Sequence, residues 1–236
     1  MKGTLSLRLR TLADMVTPGN RVVDVGCDHG FLPIYLVRSG ISPWVLAMDV
    51  REGPLTRARE HVAQYGLGEY IETRLSDGLQ SYEAGEAETL VCAGMGGRLM
   101  AGILREGSRK ARSFKEIILQ PQSELSGFRR FLYEDGYEIT KENILCEEGK
   151  FYFLMKAVWT GTRKEAREPL YEEFGERLLR ERNPVLRDYL EYRENRVCQI
   201  EKELISQPGQ RAGKRLLEVR EEREQLRKAL AFWEQA

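Results

Sequence analysis

The chain's 236 residues, 42% hydrophobic and 9% aromatic, suffice for one full domain with a buried core and a smaller domain after it. Thirty-seven basic side chains balance thirty-seven acidic ones, which excludes a polycation, so any nucleic-acid contact has to come from a local patch. No apolar run approaches the roughly 18–20 residues of a membrane span. Met1–Arg10 lacks the apolar segment of a signal peptide. Cys27, Cys92, Cys146 and Cys198 are scattered without a CxxC, and there are two histidines in the chain, which argues against a metal site or disulfide framework. The expectation is a soluble, cytoplasmic, globular protein with no metal.

In chain order, Leu5, Leu9, Leu12, Ala13 and Val16 trace an amphipathic helix stopped by Thr17-Pro18-Gly19-Asn20. Arg21–Val25 reads as a strand, Phe31–Ser39 as a helix, and Trp44–Val50 as a second strand. Gly53-Pro54 opens a helix ended by Gly66, and Tyr70–Leu75 is a third strand. Thr89–Ala93 and Glu116–Gln120 are the fourth and fifth. Ser123 is expected to cap a helix through Leu125, Phe128 and Leu132 that Gly136 ends. Tyr137–Leu145 and Lys150–Trp159 form a closing hairpin. Strands alternating with helices imply right-handed crossovers and a parallel sheet, hence a Rossmann-like α/β domain that binds ligands beyond the carboxyl ends of its strands.

After Thr160-Gly161-Thr162 the composition changes: 33 of the last 74 residues are charged, 17 basic and 16 acidic. The expected division is therefore 1–161 and 162–236. A short helix around Leu170, Phe174 and Leu178 leads to Asn183-Pro184, an N-cap followed by proline at the first helical position. Leu186, Tyr189, Arg193, Val197, Ile200 and Leu204 mark one long helix, and Leu216, Val219, Leu226, Leu230 and Trp233 a second, with Gln207-Pro208-Gly209-Gln210 between them. The two read as an antiparallel helical hairpin. Its arginines, among them Arg180, Arg182, Arg187 and Arg215, are candidates for a phosphate-facing side.

Three strand ends carry chemistry. Asp24-Val25-Gly26-Cys27-Asp28-His29-Gly30 closes the first strand in a glycine turn, yet is not a GxGxxG pyrophosphate cradle. Asp49, 23 residues beyond Gly26, suits bidentate hydrogen bonding to ribose hydroxyls, though it also suits capping the next helix. Ser76-Asp77-Gly78 offers a carboxylate and a backbone N–H to an adenine edge, or a simple Asx-turn. Together the three define an adenosyl ligand. The incomplete phosphate loop and the terminal hairpin favour S-adenosylmethionine over a nicotinamide dinucleotide.

DVGCDHGFLPIYL, followed by MD, RLSDGL, VCAGMGG and LQPQ, with LSLRL at the start and a charged helical tail, resembles the TrmK family of bacterial tRNA (adenine-22-N1)-methyltransferases. That family commonly shows serine and alanine where Cys27 and Gly30 stand here. The resemblance implies a class I methyltransferase domain, S-adenosylmethionine as donor, tRNA as acceptor and a C-terminal α-helical, coiled-coil-like domain. The segment Ala93-Gly94-Met95-Gly96, nearly free of side chains, then completes the donor site and presents the acceptor base.

Adenine N1 is an endocyclic lone pair, so attack on a sulfonium methyl needs positioning more than a base. Asp28 is the candidate for stabilising the cationic product, with His29 orienting it; both also suit a purely donor-contacting role. Arg8, Arg10, Arg105, Arg109, Lys110, Arg112, Lys115, Arg129 and Arg130, with Lys2, are candidates for phosphate contact. A small-molecule or protein methyltransferase, and an adenosyl-binding module whose tail recruits a partner, remain competing readings.

Overall fold

The computed structural model describes residues 5–163, 167–206 and 210–234; Lys2 and the Gln207-Pro208-Gly209 break lie outside the described residues. The chain divides into two compact units, Met1–Ala166 and Arg167–Ala236, the division falling a few residues beyond Thr162.

The first unit is a seven-stranded sheet of order β3-β2-β1-β4-β5-β7-β6. Its parallel part comprises β1 (Val22–Val25), β2 (Val45–Asp49), β3 (Ile71–Leu75), β4 (Thr89–Met95) and β5 (Glu116–Pro121). The hairpin β6 (Tyr137–Glu147) and β7 (Lys150–Trp159) joins through β7, antiparallel to β5. Successive side chains on a strand point to opposite faces, and both faces here are covered, so the central strands are mostly apolar, with Asp24, Asp49, Thr89, Glu116 and Gln120 as buried polar exceptions. Val23, Val25, Leu46, Met48, Leu90, Cys92, Ile117 and Leu119 pack into one core. Met100 and Leu104 of α4 (Gly97–Glu106) and Phe128 and Leu132 of α6 (Leu125–Glu134) share it. Val22, Val45, Ala47, Val91 and Ile118 pack into the other core, beneath α1 (Leu7–Met15), α2 (Phe31–Arg38) and α3 (Glu52–Gln64).

Two details depart from the sequence expectation. The stretch after β4 folds as α4 and a single turn, α5 (Ser108–Ala111), which the sequence reading left without elements. Ser123 does not cap α6: the N-cap is Glu124, at φ 57°, with no side-chain cap bond. The Ser123 carbonyl instead accepts from Gly97 N–H, 3.2 Å away, holding the loop against the start of α4.

The second unit is helical: α7 (Pro169–Phe174), α8 (Glu176–Arg180), α9 (Pro184–Ser206), α10 (Gln210–Leu230) and a 3-10 turn at Ala231–Trp233. Asn183 Oδ1 accepts from the backbone of Val185 at 3.0 Å and Leu186 at 3.3 Å, which caps α9. Ion pairs join the long helices: from Glu194–Arg227 to Glu201–Arg220 the number rises on α9 as it falls on α10, so the helices run antiparallel, and Arg193–Glu222 lies between the same two helices. Leu186, Leu190 and Val197 face inward from α9, and Val219, Leu226 and Ala229 from α10; Leu190, not Tyr189, completes the buried row. Among the described residues no helix is long and apolar enough to cross a membrane.

Candidate active site

The parallel strands β1 to β4 end at one edge of the sheet, and the turns leaving them enclose a cleft of about 600 Å³. That lies within the usual range for small-molecule sites. Gly26, Cys27, Asp28 and His29 enter from β1, Asp49 from β2, Ser76, Asp77 and Gly78 from β3, and Ala93, Gly94 and Met95 from β4. The structure thus brings together most of the residues singled out in the sequence. Gly30 and Gly96 are outside the lining. Gly30, at φ 73°, caps α2 where a Cβ would stand 3.1 Å from Ala58 of α3, so it serves helix packing. Gly96 caps α4, where a Cβ would meet Ser123 Oγ at 3.1 Å.

Gly26 is fixed by its surroundings. Its φ is 80°, and a Cβ there would lie 2.1 Å from Met95 Cε, so the β1 turn and the β4 end close on each other. Asp49 has one oxygen committed: Oδ1 accepts the Arg51 N–H at 2.9 Å, a turn ahead of α3 whose N-cap is Arg51 itself, without a side-chain cap bond, while Oδ2 has no hydrogen-bond partner among the described residues. Ser76 Oγ donates to Gly78 O at 3.0 Å and accepts from Ser81 N at 3.0 Å, shaping the turn that carries Asp77. Asp28 stands at φ 47° with its side chain 65% exposed, and its Oδ1 lies 3.6 Å from His29 Nε2. The His29 carbonyl faces His61 Nδ1 at 2.9 Å; a carbonyl only accepts, so Nδ1 carries a proton. Burial pushes the Cys27 thiol well above its ordinary pKa, so this cysteine stays protonated.

Several lining residues take roles that the sequence does not reveal. Asp24 is the third residue of the apolar strand β1, 4% exposed, with no hydrogen bond to its carboxylate among the described residues. Burial and then the charge of Asp49 raise its pKa to about 7, against the lowering effect of Arg8. The signal was present: a strand buried on both faces has no place for a carboxylate unless a partner arrives. Arg8 of α1 reaches the cleft and donates from Nη1 to Gln120 Oε1 at 3.1 Å, and the same oxygen accepts from Gly94 N at 3.2 Å. Gln122, Leu99, Ile103 and Val50 complete the mouth.

The basic candidates do not form one flank. Arg129 is fully buried and ion-paired with Glu142 at 2.8 Å, so it is a core residue and not a phosphate contact. Lys110 Nζ donates to the carbonyls of Leu79 and Gln80, and Arg112 pairs with Asp135 at 2.9 Å beneath the Trp159 ring. Lys115 precedes β5, whose amino end lies at the edge of the sheet opposite the cleft. Arg10, Arg105, Arg109 and Arg130 are exposed. In the tail, Arg180, Arg187 and Arg215 pair with Glu176, Glu191 and Glu218, so glutamates on the same helices meet the charge of these three arginines.

A cleft at the carboxyl edge of a Rossmann-like sheet, with an acid after each of the second and third strands, defines a class I methyltransferase domain. The family model for the methyltransferase domain matches residues 5–155. Among curated proteins, the tRNA (adenine(22)-N(1))-methyltransferase of Bacillus subtilis is 37% identical over 153 residues, which is 65% of this chain and 64% of that relative. The sequence match therefore spans slightly under two thirds of the curated relative's length. The crystal structure of the B. subtilis m1A22 tRNA methyltransferase TrmK superposes with a TM-score of 0.82 at 30% identity, covering 96% of this chain and 99% of that one. The M. capricolum TrmK structure, in complex with S-adenosylhomocysteine, gives 0.81 at 25% identity over 98% and 99%. The chain belongs to the TrmK family of methyltransferases.

Proposed function

We propose that the chain transfers a methyl group from S-adenosylmethionine to N1 of adenine 22 in tRNA. The observation that carries the reading is the orphan carboxylate of Asp24 buried in the strand-end cleft, with Asp49 and Asp77 on the neighbouring strands. A buried carboxylate without a donor is costly, and a ligand ammonium removes the cost. The cleft fits the donor: Asp24 accepts an amino-acid ammonium, the open oxygen of Asp49 accepts from a ribose diol, and Asp77 with Gly78 meets an adenine edge. Gly26, Cys27 and His29 bring backbone close to the same ligand, with Ser76 holding the third turn. When bound, S-adenosylmethionine supplies an electrophilic methyl group on a sulfonium.

The acceptor reads onto Ala93-Gly94-Met95, where backbone without bulky side chains lets a flat base come near the donor. N1 is unprotonated at neutral pH, so these residues act by holding the lone pair in line, and no general base is required. Positive charge passes to the adenine ring, and Asp28, exposed beside His29, stabilises it there. Arg8, Arg10, Arg105, Arg109 and Arg130 supply phosphate contacts. The antiparallel helices of the second unit act as a coiled-coil-like arm for the same tRNA, and the reaction places the chain in the cytoplasm.

Incubation with methyl-labelled donor and unmodified total tRNA, followed by nucleoside analysis, tests the reading. Label in 1-methyladenosine is the expected result. Label confined to protein or small molecules, or donor binding without transfer, would overturn it in favour of another acceptor or a binding module.

A further inference from the structure

The loop after β5 holds two glutamines with different fates. Gln120 is fully buried and committed: Oε1 accepts from Arg8 and Gly94, and Nε2 donates to Pro121 O at 3.2 Å. Gln122 is exposed and lines the cleft, and its carboxamide has no hydrogen-bond partner among the described residues. Its backbone is nonetheless fixed, because Gln122 N–H donates to Met95 O at 2.8 Å and Gly97 N–H to Ser123 O at 3.2 Å. Its Nε2 lies 3.7 Å from the point where a Cβ on Gly94 would stand. A free carboxamide is thus held over the bare backbone that receives the base.

The reaction poses a recognition problem that this group solves. Guanine N1 and uracil N3 carry protons and cannot attack, so the lone pair itself rejects them. Cytosine N3 is different: it is an unprotonated ring nitrogen beside an exocyclic amine, the same pattern as adenine N1 and N6. Besides the O2 carbonyl that cytosine carries where adenine has C2–H, the second edge of the purine, with N7, separates the two. A glutamine carboxamide pairs with adenine through N6 and N7 in two hydrogen bonds, an arrangement that leaves N1 open.

Resting on the proposed function, we propose that Gln122 reads the target adenine, with Nε2–H donating to N7 and Oε1 accepting from N6. It is a specificity-determining residue for the acceptor and takes no part in holding the donor. Guanine, with acceptors at both O6 and N7, cannot satisfy the carboxamide in either orientation.

The test is single-turnover methylation by the full chain and by Gln122→Ala, on transcripts carrying adenosine or 7-deazaadenosine at the target position, with donor affinity measured by calorimetry. Wild type is expected to prefer adenosine, and the preference to shrink about 2- to 10-fold in the variant, the range for the one hydrogen bond that 7-deaza substitution removes. Donor affinity should stay unchanged. Equal losses by Gln122→Ala on both transcripts would overturn the inference, since Gln122 would then not couple to N7. A parallel fall in donor affinity would also overturn it, by making Gln122 a donor contact. If wild type transfers no methyl to that adenosine, the proposed function fails and takes this inference with it; either of the preceding results leaves that function standing.

Discussion

Asp24 occupies β1 at 4% exposure, and its pKa of about 7 makes folding and proton binding interdependent. An unfolded aspartate releases its proton near pH 4 and the folded one near 7, so between these values the folded state holds more protons. Stability therefore falls as pH rises through that window and levels off above it. Asp24→Asn removes the titration. Thermal melts of the donor-free protein from pH 4 to 8 should show wild type losing ground to the variant, by on the order of 1–4 kcal/mol at the upper end; parallel profiles would contradict the assignment. Asp49 makes a separate prediction. Asp49→Asn keeps an oxygen for the Arg51 N–H but loses the charge, and donor affinity measured by calorimetry should fall roughly tenfold or more. The strand-end acids were legible because turn chemistry is local. The cleft roles of Asp24, Arg8 and Gln122 were not, because those roles depend on which distant elements close over them. Charge alone misled at Arg129, whose partner Glu142 lies on another element.

At the scale of elements, the turn after β1 and the end of β4 form one unit, since Met95 Cε occupies the space of a Gly26 Cβ. Gly19 offers the control: its φ is 88°, similar to the 80° of Gly26, but nothing lies within 4 Å of a Cβ there. Alanine at either position strains the backbone by about 1–3 kcal/mol. Gly26→Ala must in addition displace Met95 within the cleft. Both variants should lose comparable stability in denaturant titrations, whereas donor affinity should drop in Gly26→Ala and hold in Gly19→Ala. Equal donor affinities would separate the turn from the site. Strand and hairpin positions followed from short apolar and β-branched runs bounded by turns, whereas α4 was obscured by Gly97 and Gly102. Its buried residues Gly97, Met100, Ala101 and Leu104 do carry helical spacing, with glycine in the place of the first apolar residue. Ser123 failed as a cap because its carbonyl is held by Gly97, a contact between segments far apart in sequence.

Across the whole molecule, every cleft residue belongs to the first unit and the tail is a separate compact unit. A fragment of residues 1–166 should therefore bind donor within about twofold of the full chain, by calorimetry. The tail's glutamates already hold many of its arginines, Glu201 taking both Arg220 and Arg223. Its removal should weaken tRNA binding yet change the log–log salt slope by less than one phosphate contact, roughly 0.7–0.9. Loss of several contacts' worth of slope would show that these pairs open to bind phosphate. The composition step near Thr162 made the two-part organisation legible, while the charge pairing was hidden because it depends on helix register.

N1 methylation blocks the Watson–Crick edge of adenine, so methyl transfer to that atom is read directly by primer extension on a tRNA transcript after incubation with the full chain and S-adenosylmethionine. The expected result is a reverse-transcription stop immediately before adenine 22 that requires both chain and donor and vanishes when that position is uridine. A transcript copied without a stop at adenine 22, while the chain methylates another atom or another molecule, would contradict it.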